Sequence, residues 1–208
     1  MRVVKVVVID DQQLVAEAVK LLLEAPQSGI AFEVVATAYS GLDGLEMAQQ
    51  HQPELILVDL MMPNMHGLEV VSRLKRLEHK AKIVMLSGFA HTEQIAEART
   101  AGCDGYIVKH SDRETFVAAL EQVILGTPYF ADSDTHLDAS SVEALELTKR
   151  ELQVLELLAE GYTNVEMAPV LNLSVRTVEK YRASLNEKFD THSVSALLRR
   201  AKVEGLII

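Results

Sequence analysis

Leu55-Ile56-Leu57-Val58-Asp59-Leu60-Met61-Met62-Pro63 runs four apolar residues straight into one carboxylate, and a Met-Pro turn signal follows. An apolar run without alternation fits a strand buried on both faces, as in a parallel sheet. Such a strand delivers its last residue to the carboxyl edge of the sheet, where open α/β folds bind ligands. Asp59 is that residue. By itself the stretch serves an N-cap or turn aspartate equally well, so the decision rests on what else reaches the same edge.

Upstream, Val3 to Ile9 is a β-branched run ending in Asp10-Asp11, and residues 14–23 carry Leu14, Val15, Ala18, Val19, Leu22 and Leu23 at helical spacing. Phe32 to Ala36 reads as a strand, and Gly41 to Gln50 as a helix with Leu42, Leu45 and Ala48 turned inward. Downstream, a helix from about Gly67 to Leu77 has Leu68, Val71 and Leu74 in step. Ile83 to Leu86 ends in Ser87, residues 91–101 return to helix, and Gly105 to Val108 ends in Lys109. A helix over 112–125 closes the series with Phe116, Ala119, Leu120 and Val123 inside. Strand and helix alternating at short spacing imply a doubly wound, five-stranded parallel sheet with helices on both faces and right-handed crossovers.

In that fold Asp10, Asp11, Asp59, Ser87 and Lys109 meet at one carboxyl edge. Crowded carboxylates repel unless a cation sits among them, and an all-oxygen set suits Mg²⁺. The cation and Lys109 together offset the charge of a phosphoryl group, and Ser87 offers a hydroxyl to the same oxygens. An aspartate so placed is a nucleophile toward phosphorus and forms an acyl phosphate.

Val8-Ile9-Asp10-Asp11, Leu57-Val58-Asp59-Leu60-Met61-Met62-Pro63-Asn64-Met65-His66-Gly67, Met85-Leu86-Ser87-Gly88 and Gly105-Tyr106-Ile107-Val108-Lys109 occur in this order. With these motifs, residues 3–125 resemble the receiver domain of two-component response regulators. The resemblance implies that Asp59 accepts phosphate from a sensor histidine kinase. It implies that Asp11, Asp59 and the carbonyl of Met61 hold Mg²⁺, with Asp10 acting through water. Ser87 and Tyr106 match the hydroxyl and aromatic switch positions, and Lys109 the phosphate-sensing lysine. An aromatic in such a strand also serves plain packing. His66 departs from the acid common before the glycine, and His110 from the proline often found after the lysine; neither belongs to the acidic pocket. Met61 and Phe89 flank the site, where their bulk would obstruct attacking water and slow the loss of phosphate.

Bulk properties agree with a globular chain of two domains. Of the 208 residues 49% are hydrophobic and 24% charged, enough apolar content for a sizeable core. Cys103 is the single cysteine, which excludes an internal disulfide framework and fits the cytoplasm. The seven histidines share no ligand spacing, no signal peptide is visible, and no apolar run approaches the length of a membrane span. The net charge of −10 is unevenly placed: from Thr148 onward nine basic residues face eight acidic ones, while residues 1–147 hold eleven and twenty-two. The acidic balance that disfavours nucleic acid therefore stops where the last segment begins.

Gly126-Thr127-Pro128 ends the last helix of the first domain, and residues 131–141 are polar and aperiodic. The organisation is a domain at 1–126, a linker at 127–146 with a short helix near Val142 to Leu147, and a second domain at 147–208. Thr148-Lys149-Arg150-Glu151 and Thr163-Asn164-Val165-Glu166 both have capping-box spacing, and Ser174 and Ser193 can cap two more helices. Four short helices with a tight turn between the second and third make a helix-turn-helix. The third buries Val178, Leu185 and Phe189 and presents Arg176, Thr177, Lys180, Tyr181, Arg182, Ser184 and Lys188. Those groups suit phosphates and base edges, though a solvated helix face has the same composition.

Leu147-Thr148-Lys149-Arg150-Glu151, Val154-Leu155-Glu156-Leu157-Leu158-Ala159-Glu160-Gly161, Thr163-Asn164-Val165-Glu166-Met167-Ala168, Leu173-Ser174-Val175-Arg176-Thr177-Val178-Glu179-Lys180-Tyr181-Arg182 and Gly205-Leu206-Ile207 give residues 147–207 the look of the LuxR-type output domain of NarL/FixJ regulators. By that resemblance the third helix enters the major groove, the fourth supports dimerisation, and Thr163 and Asn164 join the DNA-contacting set. Three positions depart from the pattern. Pro169 falls inside the second helix, where a kink or early end is expected. Glu179 stands where Lys is common; its carboxylate repels phosphate but can accept from cytosine. Asp190 replaces the usual glycine after the third helix, and tolerates the left-handed conformation better than most residues.

The reading is a DNA-binding transcriptional regulator, not an enzyme, phosphorylated on Asp59 and dimerising to bind paired half-sites, with RNA polymerase a further partner and no membrane contact. Two other classes stand beside it. An aspartyl phosphatase needs a second acid two residues past the nucleophile, where this chain has Met61. A phosphorylation-independent regulator would show a broken acidic pocket, and here the pocket is complete.

Overall fold

The computed structural model describes residues 2–25, 29–88, 90, 92–131, 145, 147–204 and 206–207. Phe89, most of the expected linker and the short helix near Val142 lie outside the described residues. The chain divides into two compact units, Met1–Ala131 and Asp132–Ile208. Among the described residues no helix is long and apolar enough to cross a membrane.

The first unit runs β1 (Val3–Ile9), α1 (Gln13–Glu24), β2 (Ala31–Ala38), α2 (Gly41–His51), β3 (Leu55–Asp59), α3 (Gly67–Arg76), β4 (Lys82–Ser87), α4 (Thr92–Ala101), β5 (Gly105–Val108), α5 (Arg113–Ile124) and β6 (Tyr129–Phe130). Every pair is parallel, in the order β2-β1-β3-β4-β5-β6. The order reverses between β1 and β3, so the crevice of the sheet opens between Ile9 and Val58, which are register partners. Asp10 and Asp59 follow directly. All five residues of β3 are buried, which is why that strand shows no alternation.

The sheet has six strands, one more than the sequence implies. The added strand is Tyr129-Phe130, inside the stretch read as linker. Tyr129 aligns with Gly105 and Phe130 with Tyr106, and the Ala131 N–H donates to Tyr106 O at 2.9 Å. Arg99 of α4 stacks over the Phe130 ring, 3.8 Å from its centroid. Two residues after a proline are too short to register as a periodic pattern.

Val4, Val6, Val8, Leu55, Leu57, Val84, Leu86 and Ile107 line one face of the sheet and pack against Ala16, Val19 and Leu23 of α1 and Phe116, Leu120 and Val123 of α5. The alternate residues Val7, Ile9, Ile56, Val58, Ile83 and Met85 are as fully buried on the other face. Full burial of one such side chain stabilises by roughly 1.5–3 kcal/mol. Two helices keep part of the expected inner face, Val19 and Leu23 in α1 and Ala48 in α2, and differ in the rest. α1 buries Ala16, Val19 and Leu23, and leaves Leu14 exposed at 86%. α2 turns Gly41, Gly44 and Ala48 inward and Leu42 outward. In α2 the reason is close approach: a Cβ on Gly44 would lie 2.5 Å from Ile9 Cδ1, and one on Gly41 2.8 Å from Met65 Sδ. A larger residue cannot occupy that face.

The second unit contains α6 (Lys149–Ala159), α7 (Asn164–Val170), α8 (Val175–Lys188) and α9 (Val194–Val203). Thr148 and Thr163 close complete capping boxes with Glu151 and Glu166, and Ser174 and Ser193 accept from Thr177 N and Ala196 N. α7 ends one residue beyond Pro169, and Leu173 N donates to Ala168 O at 2.8 Å. Asn172 makes the turn into α8 at φ 55°, a left-handed position that Asn tolerates. Asp190 adopts φ 49° at the end of α8. Val178, Leu185 and Phe189 are buried as the spacing implies.

Candidate functional site

The sheet edge brings four side chains together. Asp10 and Asp59 are 0% and 2% exposed, at the ends of neighbouring strands. The Lys109 ammonium lies 2.9 Å from Asp10 Oδ2 and 2.8 Å from Asp59 Oδ1, spanning both carboxylates. Asp10 is oriented from its other oxygen, which accepts from Gln12 N at 3.0 Å. Lys109 itself is fixed by its backbone N–H, which donates to Ser87 O at 2.8 Å. That bond sets Ser87, buried at the end of β4, beside the lysine. Asp11 is half-buried, and one oxygen from each of Asp10, Asp11 and Asp59 falls within 4.8 Å of the others.

One ammonium against three carboxylates leaves the pocket with a net negative charge. Buried charge of that kind is costly unless compensated, several kcal/mol per ion. An all-oxygen donor set of this spacing fits a hard divalent cation. Met61, whose carbonyl was expected to join it, is buried two residues past Asp59. Phe89, its expected partner in shielding a phosphate on Asp59, is outside the described residues.

Two residues that hold the site carry no role in the sequence reading. Gly67 opens α3, and a Cβ there would lie 2.2 Å from the backbone oxygen of Asp59. Its N–H donates to Leu60 O, and Leu60 N donates to Leu86 O, so the loop after Asp59 is tied to both α3 and β4. The glycine stood inside the quoted motif, and its signal was the motif alone. Gln94 is the second. It is 5% exposed on α4, and its Oε1 accepts from the Tyr106 hydroxyl at 2.9 Å. Tyr106 is fully buried, so its hydroxyl is engaged with α4. A glutamine in a largely polar helix gives no sign of burial. His66 caps α3 through Nδ1, which accepts from Leu68 N at 3.4 Å. Burial lowers its pKa, against the opposing pull of Glu97 and Glu69.

The nine positions expected to contact DNA fall into two groups. Arg176 and Lys180 are exposed on α8, Tyr181 is partly exposed, Thr177 is partly exposed with its hydroxyl 2.7 Å from Ser174 Oγ, and Thr163 is exposed but serves as the cap of α7. Ser184, Lys188, Arg182 and Asn164 are instead bonded within the unit. Ser184 Oγ donates to Glu151 Oε1 at 2.6 Å and Lys188 Nζ to Glu151 Oε2 at 2.8 Å. Arg182 bonds the side chain of Asn164. Glu151 is 3% exposed. Burial works to raise its pKa, but the Lys188 ammonium, the Ser184 hydroxyl and Thr148 together bring it down to about 2. Glu151 thus caps α6 and also clamps α8, a second role that capping-box spacing does not reveal.

Comparison with known proteins adds to this geometry. Residues 6–121 match the response regulator receiver domain, and residues 145–201 the bacterial regulatory proteins of the luxR family. The chain is 32% identical over 209 residues to the transcriptional regulatory protein MctR of Rhizobium johnstonii, covering 98% of this chain and 95% of that one. It is 32% identical over 198 residues to the nitrate/nitrite response regulator protein NarL of Escherichia coli K12, covering 90% of each. Among solved structures, the two-component response regulator RcsB in its DNA complex has a TM-score of 0.56 at 21% identity, over 96% of this chain and 98% of that one, a likeness of fold. The receiver match lies on the acidic pocket and the luxR match on the helix-turn-helix, and the chain belongs to the two-component response regulators of the NarL/FixJ family, transcription regulators with a LuxR-type DNA-binding domain.

Proposed function

We propose that this regulator is switched by phosphorylation of Asp59. Supporting this above all is the convergence of Asp10, Asp11, Asp59 and Lys109 on one buried sheet edge. An Asp59 carboxylate oxygen attacks the phosphorus of a sensor kinase's phosphohistidine. A P–O bond forms, the P–N bond breaks, and its electron pair leaves with the imidazole nitrogen. Lys109 pairs with a phosphoryl oxygen, and the Ser87 hydroxyl donates to another. Mg²⁺, held by Asp11, Asp59 and the Met61 carbonyl, with Asp10 acting through water, would neutralise charge on the incoming group. Drawing Ser87 toward the phosphoryl group alters the end of β4 and the start of α4, where Gln94 holds Tyr106.

In this reading residues 1–126, extended by β6, form the phosphoacceptor domain, and residues 147–208 read DNA from the major groove through α8. Phosphorylation promotes a homodimer that binds half-sites about one helical turn apart. Arg176 and Lys180 contact phosphate or guanine, Thr177 and Tyr181 add hydrogen bonds, and RNA polymerase is a further partner in the cytoplasm. The test is incubation with acetyl phosphate and Mg²⁺ followed by intact mass and sizing. Wild type gains the mass of one phosphoryl group and shifts to a dimer, and Asp59→Asn does neither. Uptake by Asp59→Asn, or none by wild type, contradicts the reading.

A further inference from the structure

We propose that Glu179 selects sequence, its carboxylate accepting a hydrogen bond from the exocyclic amine of a cytosine in the major groove. The inference rests on the DNA-reading role of α8 and identifies which of its residues sets a base position. Of the polar side chains along α8, Ser184 and Lys188 are held by Glu151, and Arg182 by Asn164. The N-terminal half of the outward stripe, which ends further on at Glu187, is then Arg176, Glu179, Lys180 and Ala183, all exposed and spaced i, i+3, i+4 and i+7. Its centre is acidic.

An acid presented to a polyanion weakens binding to every sequence unless it meets a donor. The major groove offers two amine donors, cytosine N4 and adenine N6. Adenine places the N7 acceptor beside its amine, which repels a carboxylate, whereas cytosine presents the amine without that neighbour. Arg176, one turn earlier, and Lys180, adjacent, keep the groove contact attractive overall. The stripe thus gives affinity from its two cations and discrimination from the acid between them.

The test uses the full chain phosphorylated with acetyl phosphate and Mg²⁺, and a pool of randomised duplexes from which the preferred site is selected. Affinity is then titrated against each single-base variant of that site for wild type, Glu179→Gln, Glu179→Ala and the charge control Glu187→Gln. At one C·G pair wild type loses at least about fivefold when the base is changed, and Glu179→Ala brings the four bases there to near equality while other positions keep their preferences. Glu187→Gln, also exposed on α8, tightens all sequences alike and leaves every preference in place. If Glu179→Ala and Glu179→Gln act as Glu187→Gln does, the acid is only repulsive and the proposal is overturned. A wild type that selects no sequence overturns the DNA-reading role and this inference with it.

Discussion

Gly67 shows how much one side chain decides at the acidic pocket. Adding a methyl places carbon 2.2 Å from the Asp59 oxygen, so α3 or the end of β3 must move. Gly67→Ala should lower stability by about 1–3 kcal/mol, as overpacking does, and slow phosphoryl uptake; urea unfolding and initial uptake rates measure both. Lys109 is the converse case, a charge that the pocket needs. Lys109→Gln leaves Asp10 and Asp59 buried without their cation, and the loss should be about 3–5 kcal/mol. Mg²⁺ should restore part of it, since an ion that binds the folded chain stabilises by mass action; unfolding with and without Mg²⁺ checks this. His66 has its folded pKa depressed below 6.5, so the folded chain favours neutral imidazole. Stability from this group is complete above that value and falls as pH drops through the folded pKa. His66→Asn keeps a cap acceptor and should flatten melting temperature between neutral and mildly acidic buffer.

At the scale of elements, the second unit depends on Glu151. Its folded pKa of about 2, against an ordinary 4.5, gives stability that is full above 4.5 and lost as pH falls toward 2. The amount is on the order of 3 kcal/mol. Glu151→Gln should remove most of it at neutral pH, seen in the melting of α6 and α8. Ser184 and Lys188 are bonded to this carboxylate, so Lys188→Met should destabilise the unit yet leave the salt slope of DNA binding unchanged. Lys180→Ala or Arg176→Ala should lower that slope by about one if the residue meets phosphate. Much of this architecture was legible. The threonines and serines that open α6 to α9 are local signals, satisfied within three residues, so the sequence carries them whole. The inner faces of α1 and α2 were legible at Val19, Leu23 and Ala48 but not at Leu14 and Leu42, which apolar spacing turns inward and the fold leaves exposed; in α2 the packing selects Gly41 and Gly44 for close approach. Gln94 and the clamp on Lys188 were hidden for a related reason. Each is a polar residue whose partner lies far away in sequence, and a polar residue on a helix reads as solvated until its partner is seen. β6 escaped because two residues carry no period.

For the whole molecule, charge and sequence divide at the same place. Residues 1–147 carry the acidic excess and the acidic pocket, while the segment from Thr148 is close to neutral and presents Arg176 and Lys180 on α8. The acidic half should keep nonspecific DNA binding low, and specific binding should respond to the state of Asp59 through dimerisation. The coupling between the two sites is a free-energy difference, typically 1–3 kcal/mol or about five- to 150-fold in affinity. The most direct measurement titrates one selected duplex with wild type and Asp59→Asn, each before and after acetyl phosphate and Mg²⁺, while sizing the complexes. Wild type should bind at least about fivefold tighter once phosphorylated, as a dimer, and Asp59→Asn should show no change. Equal, monomeric binding by the unmodified and phosphorylated wild type would contradict control by Asp59.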